Sequence, residues 1–477
     1  MAGRYLKEFE NLNTTTESIH DLGDFKVLII LKDGTNLTDW KDLKNKKDII
    51  YVSEDLSDCT DLSRKYEGFK SLKAIVVPQI SDEASDMRSM FYGCSSLIDV
   101  STLENWDTSQ VTNMMSMYYG CSSLSDLSPL SGWDTSKVTN MAEMFQCCSD
   151  DLMGMLEFLS DTFHMSPDYS ALSDLSPLSD WDTSQVTDMA GMFKGCSSLS
   201  DVSLLSGWDT SKVTNMGSMF YGCSSLIDVS PLSGWDTSKV TDMKWMFQHC
   251  YSLSDLSALS DWDTSKVTNM KRMFYACSSL IDVSPLSGWD TSKVTDMGGM
   301  FQGCSSLIDV SPLSGWDTSK VTDMKWMFQG CSSLIDVSTL ENWDTSKVTY
   351  IVRMFEDCSS LIDVSSLSNW DTSKVTLMNG MFLGCSSLSD LSPLSNWDTS
   401  QVTEMVVMFK GCSSLSDLSP LSNWDTSKVT LMNGMFLGCS SLSDLSPLSG
   451  WDVSKADKKD MFKNCSVKTY PKWYEKH

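Results

Sequence analysis

Tryptophan recurs in this chain at intervals of 27 residues, and that period constrains the fold more than any other feature. Trp106 and Trp133 are 27 residues apart, and from Trp181 the interval holds without a break through Trp208, Trp235 and Trp262 to Trp451. The gap from Trp133 to Trp181 is 48 residues, one period plus 21. A cysteine keeps the same beat fifteen residues behind each of these tryptophans up to Trp424. Self-similarity at a fixed period is the signature of stacked supersecondary units, none of which can bury its apolar face alone. A length of 477 residues would otherwise suggest about three domains. The repeat instead predicts a solenoid over 76–465, behind a non-repeat lead-in at 1–75 and ahead of a tail at 466–477.

One unit divides into two halves. In W-D-T-S-K-V-T-N-M-A-E-M-F-Q-C-C, residues 133–148, the side chains of Val138, Met141, Met144, Phe145 and Cys148 fall three and four apart. That spacing predicts a short helix with one apolar face, N-capped by Thr139 and closed by the Gly that often precedes Cys. In C-S-S-L-S-D-L-S-P-L-S-G-W, residues 121–133, Leu124, Leu127 and Leu130 form an L-x-x-L ladder, which predicts one short strand paired in parallel with the next rung at ~4.8 Å. The expected fold class is therefore α/β: a leucine-rich-repeat-like solenoid with one short parallel strand and one short helix per 27-residue rung.

The ends break the pattern. K-V-L-I-I-L and D-I-I-Y-V in the lead-in are strand-like, and a degenerate rung follows, ending at Cys94. At the other end W-D-V-S-K-A-D-K-K-D-M-F-K-N-C places Lys at core positions, the expected polar cap of a stack. An insertion at about 149–169 interrupts the rungs. Leu152, Met155, Leu156, Leu159 and Phe163 there could line one face of a short helix, and such insertions fall in loops that often lie on binding faces.

The motif S-L-x-x-L-x-x-x-x-W-D-T-S-K-V-T-x-M-x-x-M-F-x-x-C, over roughly residues 85–465, closely resembles the repeat of the BspA-like leucine-rich-repeat surface proteins. The resemblance implies a solenoid fold, a place at the cell surface or outside the cell, and a role in adhesion or host interaction. No signal-peptide-like apolar stretch is visible at the amino terminus, so a cytoplasmic location is the alternative expectation. No run of about 18 apolar residues suggests a membrane span.

The formal charge of −27 argues against nucleic acid, whose phosphates need clustered Lys and Arg. It favours cations or a basic partner. The charge is ordered: Asp99, Asp126, Asp201, Asp228, Asp255, Asp282, Asp309, Asp336, Asp363, Asp390, Asp417 and Asp444 share one position of the leucine half. With the flanking Leu or Val turned inward, these carboxylates point outward. The run from Asp201 to Asp363 is the expected partner-binding strand face, and a merely solvated face is the competing reading. A second row follows each Trp, as in Asp134 and Asp236, and is expected to close a turn on nearby amides. A third feature is apolar. Tyr350, Leu377 and Leu431 stand where early rungs have Asn or Asp before the first Met, Val406 and Val407 lie beside them, and Trp245 and Trp326 sit slightly farther along. They predict a patch on the outer helical face suited to a partner or a second copy.

Sixteen cysteines at one per rung are expected to be small buried hydrophobes with free thiols. Only Cys147 and Cys148 are adjacent, so no paired C-x-x-C zinc spacing arises. The four histidines, His20, His164, His249 and His477, form no metal-ligand spacing. Residues 370–396 and 424–450 differ only at Asn396 and Gly450. A catalytic site needs unique groups in one place, whereas near-copied rungs supply the same groups many times. The sequence thus predicts a non-enzymatic binding or adhesion protein, with no cofactor and no metal, whose partner is a protein or glycan on another cell or molecule. An intracellular interaction scaffold and a cation-binding structural array are the alternatives.

Overall fold

The computed structural model describes residues 18–22, 25–30, 51–53, 56–77, 79–147 and 170–474. The insertion at 149–169 and Cys148 lie outside the described residues, as does much of the lead-in. The chain forms two compact units, 1–239 and 240–477, and the 27-residue rung recurs in each.

The first unit begins with a four-stranded sheet in chain order: β1 (Ser18–Leu22), β2 (Phe25–Ile30), β3 (Tyr51–Ser53) and β4 (Ala74–Val76). β1 and β2 are antiparallel, while β2–β3 and β3–β4 are parallel. Rung-type bonds are already present beside this sheet. The Leu62 amide donates to the Asp86 carbonyl at 2.9 Å and the Tyr66 amide to the Met90 carbonyl at 2.8 Å. Ala74 in β4 bridges in parallel to Asp99 of the next rung.

The expected helix of each rung is replaced by a ribbon of overlapping turns. No α-helix occurs among the described residues. In the rung at 270–277, the amides of Met270, Arg272, Phe274 and Ala276 donate to the carbonyls of Asp296, Gly298, Met300 and Gln302 in the following rung, at 2.6–3.1 Å. The amides between them turn back inside the rung: Met273 to Met270, Tyr275 to Arg272, and Cys277 to Phe274, at 3.1–3.2 Å. Left-handed backbone recurs every four residues, at Arg272 (φ 52°) and Ala276 (φ 60°). The cause is spacing. Packed α-helices need axes 8–10 Å apart, but these rungs are joined directly by amide–carbonyl bonds, which leave no room for one helix per rung. The apolar side chains assigned to the helix face are buried all the same: Val294, Met297, Met300, Phe301 and Cys304 are all 0% exposed.

The leucine half also departs from the expected strand. Leu307, Val310 and Leu313 are buried at three-residue spacing, but that spacing matches successive i→i+3 turns and not the two-residue period of a strand. The Leu307 amide donates to Cys304 at 3.0 Å, Leu313 to Val310 at 2.9 Å, and Trp316 to Leu313 at 3.1 Å. A 3-10 turn at Ser311–Gly315, with Pro312 in its first residues, closes the rung, and comparable turns recur at Ser230–Gly234 and Ser365–Asn369. Beyond β4, parallel bridges in this half are confined among the described residues to Asp309–Asp336 and Asp336–Asp363.

Between the two halves, like side chains stack on like. Phe301, Phe328 and Phe355 follow one another at 5.9 and 5.8 Å between ring centroids, nearly parallel. The recurring buried Trp, Cys and Thr groups find their acceptors in an adjacent rung, as burial favours. The Trp316 indole N–H donates to Leu286 O at 3.0 Å, the Cys331 thiol to Phe301 O at 3.2 Å, and the Thr318 hydroxyl to Asp344 O at 3.1 Å. Leu313 O serves both the Trp316 amide and the Trp343 indole, using both lone pairs. None of the described cysteines is in a disulfide, and all are buried except Cys59 and Cys465, which are half-buried.

The carboxyl-terminal end carries its lysines exposed, Lys455, Lys459, Lys463 and Lys472 among them, around an aromatic plug that the sequence pattern did not single out. Phe462 stacks on Phe436 at 5.7 Å and is covered by Tyr470, Trp473 and Tyr474. The Trp473 indole donates to Leu448 O at 2.9 Å, doing for the last rung what the next Trp would have done. Lys458 turns its ammonium onto the carbonyls of Val453 and Ala456.

Candidate functional site

The residues singled out from sequence lie on two sets of positions, one exposed and one mostly half-buried. Asp201 and Asp228 belong to the first unit, and Asp255, Asp282, Asp309, Asp336 and Asp363 follow on successive rungs of the second. All seven are exposed. Each braces its own rung: Oδ1 accepts the amide of the Ser two residues on, at 2.8 Å from Ser203 to Asp201, 2.8 Å from Ser257 to Asp255, and 2.8 Å from Ser365 to Asp363. Asp228, Asp282 and Asp309 also accept the Ser hydroxyl on Oδ2, at 2.9, 2.7 and 2.7 Å. The carboxylate therefore initiates the 3-10 turn in the manner of an Asx-turn. The Ser203 amide, with its hydroxyl, holds the Asp201 carboxyl below the usual carboxylate range. These acids are fixed in direction while remaining exposed to solvent. Like charges on neighbouring rungs repel by about 1 kcal/mol per pair in water, so the row favours cationic groups laid across it.

The Asp after each Trp does close a turn. Asp236 Oδ1 accepts the Ser238 amide at 2.9 Å, and Asp317 accepts that of Ser319 at 2.9 Å. Bonds from the Ser hydroxyl and then the amide lower both carboxyls, with a smaller contribution from Lys239 and Lys320. Their carbonyls receive the buried Thr hydroxyl of the preceding rung, as from Thr210 to Asp236.

The apolar patch expected on a helical face lies on the turn ribbon of the second unit, because no helix is there to carry it. Tyr350 and Leu377 are bridged neighbours, but Glu404 separates Leu377 from Leu431. Tyr350 and Leu431 are 39% and 37% exposed, while Leu377 and Val406 are half-buried. Trp245 and Trp326 are half-buried, with φ of 60° at both. Cations cover them: Lys244 lies 5.4 Å from the Trp245 ring, and Lys325 and Arg272 lie 5.3 and 5.4 Å from that of Trp326. Lys325 also reaches Tyr350 at 5.7 Å, so Trp326 and Tyr350 share one cation. The expected continuous patch is thus divided into a Trp326–Lys325–Tyr350 cluster adjoining Leu377 and a separate Leu431.

Sequence reasoning missed a row of isoleucines. Ile98 and Ile227 in the first unit, and Ile281, Ile308, Ile335 and Ile362 in the second, are exposed one residue before an Asp. The signal was present as an alternation between L-I-D-V and L-S-D-L in the leucine half. His249 replaces the usual Gly before Cys. Its Nδ1 lies 3.0 Å from the Tyr251 hydroxyl, and burial, with Arg272 nearby, lowers its pKa to about 4. Among the described residues no His, Cys, Asp and Glu side chains group as metal ligands, and no helix is long and apolar enough to cross a membrane.

A family model described as "Mycoplasma protein of unknown function, DUF285" matches residues 60–152, 159–281, 279–366 and 353–473. Among solved structures, a leucine-rich cell surface protein from Faecalibacterium prausnitzii A2-165 is similar at 15% identity, covering 91% of this chain and 93% of its own, with a TM-score of 0.34. A leucine-rich repeat protein from Eubacterium ventriosum ATCC 27560 is similar at 14% identity, covering 97% and 96%, with a TM-score of 0.40. Among curated proteins, none matches the chain.

Proposed function

The chain belongs to the DUF285 family, and we propose that it is a non-enzymatic binding protein of the BspA-like kind, exposed at the cell surface or outside the cell. In this reading it presents its exposed Asp positions, Asp201 to Asp363, to a protein or glycan. The observation that carries the proposal is the bracing of those carboxylates. Each is held by the Ser two residues on, so within each unit the same charge returns in the same local setting on successive rungs. Weak contacts repeated at a fixed spacing give avidity without any single strong site. The apolar positions Trp245, Trp326, Tyr350, Leu377, Val406 and Leu431 are a second contact region in the same proposal. An intracellular scaffold holding one protein through Tyr350 and its neighbours is the alternative, favoured by the 39% exposure of that tyrosine.

Two measurements test the proposal. External protease should digest the chain on intact cells that express it, and protection until lysis would overturn the surface location. The purified chain should bind spots on an array of matrix proteins and glycans, and a variant with all seven Asp changed to Asn should lose that binding. Retention of binding by the Asn variant would refute the role of the row.

A further inference from the structure

Ile281, Ile308, Ile335 and Ile362 occupy the same position on four successive rungs, and they are 54%, 48%, 46% and 56% exposed. The stripe is bounded: the rung before has Ser254 there and the rungs after have Ser389, Ser416 and Ser443. Local folding does not call for it. A β-branched residue favours the extended backbone bridged at Asp309, Asp336 and Asp363, but Thr would serve that purpose without exposing hydrocarbon. One residue along the chain from each Ile is an exposed Asp: Asp282, Asp309, Asp336 and Asp363. The surface is therefore a ribbon with one aliphatic edge and one anionic edge.

We propose that this ribbon docks a cationic amphipathic helix lying along the direction in which the rungs advance. The inference rests on the binding reading above and names the class of partner. Rungs advance about 4.8 Å, and a helix advances about 5.4 Å per turn. Over the three intervals of the stripe the mismatch accumulates to only about 2 Å. About ten helical residues, with apolar side chains at i, i+3, i+7 and i+10, cover the four isoleucines. An extended strand along the same line returns a side chain to the surface only every ~6.6 Å, and it loses register within two rungs. Lys or Arg flanking the apolar face of the helix meets the Asp edge. A second copy of this chain would bring aspartates against aspartates, in a molecule whose formal charge is −27.

The test uses the full chain and a labelled synthetic peptide of about fourteen residues, with Leu at i, i+3, i+7 and i+10 and Lys and Ala elsewhere. A scrambled peptide of the same composition serves as control, and binding is read by fluorescence anisotropy at two salt concentrations. Substituting Ile281, Ile308, Ile335 and Ile362 together with Ser, the residue that other rungs carry there, should weaken binding about tenfold or more. Substituting Asp282, Asp309, Asp336 and Asp363 with Asn should weaken it and flatten its salt dependence. Neutralising Asp390, Asp417 and Asp444 instead should change it less than twofold. Equal binding of the scrambled peptide, or unchanged affinity of the Ser variant, would overturn the proposal. Array binding by the unaltered chain with no capture of the peptide would overturn this surface and leave the general binding reading standing. Capture of the peptide that is lost on Ile→Ser, with no array spot bound by the unaltered chain, would do the reverse.

Discussion

Thr318 offers a clean measure of what joins one rung to the next. Its hydroxyl donates to Asp344 O in the following rung at 3.1 Å, and the residue is 2% exposed. Thr318→Val keeps the shape of the side chain and removes only the donor. The bond is part-buried, so removing the donor costs toward the lower end of about 1–3 kcal/mol, and the methyl that replaces the hydroxyl returns at most about 0.8 kcal/mol. The expected net loss is about 0.5–1.5 kcal/mol, or roughly 1–6 °C in Tm for a unit of this size. Thr322 provides the control. Its hydroxyl reaches Thr295 O at 3.4 Å on an exposed row, so Thr322→Val should stay within about 0.5 kcal/mol. Urea unfolding followed by tryptophan fluorescence measures both, with the slope checked for constancy. Equal effects at the two positions, or no effect at Thr318, would refute the argument that buried inter-rung bonds hold the stack.

Further outcomes follow from the same structure. Gly330 has φ of 73°, and an added Cβ would lie 3.5 Å from Gly303 Cα, so Gly330→Ala should cost about 1 kcal/mol or more through left-handed strain. Gly315, with nothing near its missing Cβ, should tolerate Ala or gain a few tenths of a kcal/mol. Thermal melts of the two variants check this contrast. The buried rung thiols should resist an aromatic disulfide reagent until the chain unfolds, because burial pushes Cys412 up to about 12 and raises Cys331 and Cys385 well above the usual range. Fast labelling of Cys331 or Cys385 in the folded protein, read by peptide mass mapping, would contradict that. Ser bonds lower the carboxyls of Asp209, Asp263, Asp317 and Asp371. A depressed folded pKa means that the unfolded chain binds more protons as pH falls. The contribution of these groups is thus fully present above the unfolded value of about 4 and is lost below it. Asp296, raised by burial, acts in the opposite sense. Stability contributed by these aspartates should therefore be level between about pH 7 and 5 and decline below about pH 4, and urea titrations across that range measure it.

The period, the rung and the buried set were legible because burial repeats with the sequence. Leu307, Val310, Leu313, Trp316, Met324, Phe328 and Cys331 are all interior, as the patterning requires. Backbone conformation was less legible. Apolar offsets of three and four suit a helix and equally suit a ribbon of i→i+3 turns, and only the distance between rungs decides between them. One sign was available: Gly191, Gly299, Gly380 and Gly434 fall in the middle of the expected helix, four residues before another Gly in each rung, where two helical turns would tolerate neither well. The three-residue spacing of the leucines matches a 3-10 period, whereas a strand returns a side chain to the same face every two residues. The Asp row was found because it is charged on nearly every rung. The isoleucines were missed because they alternate with Ser and carry no charge.

The most direct test of the account counts carboxylates. Variants with one, three, five and seven of Asp201, Asp228, Asp255, Asp282, Asp309, Asp336 and Asp363 changed to Asn are measured against the array ligand that the unaltered chain binds most tightly. The account predicts that affinity falls stepwise with the number removed, each step modest and similar. Loss of all binding on the first substitution, or undiminished binding after the seventh, would contradict it.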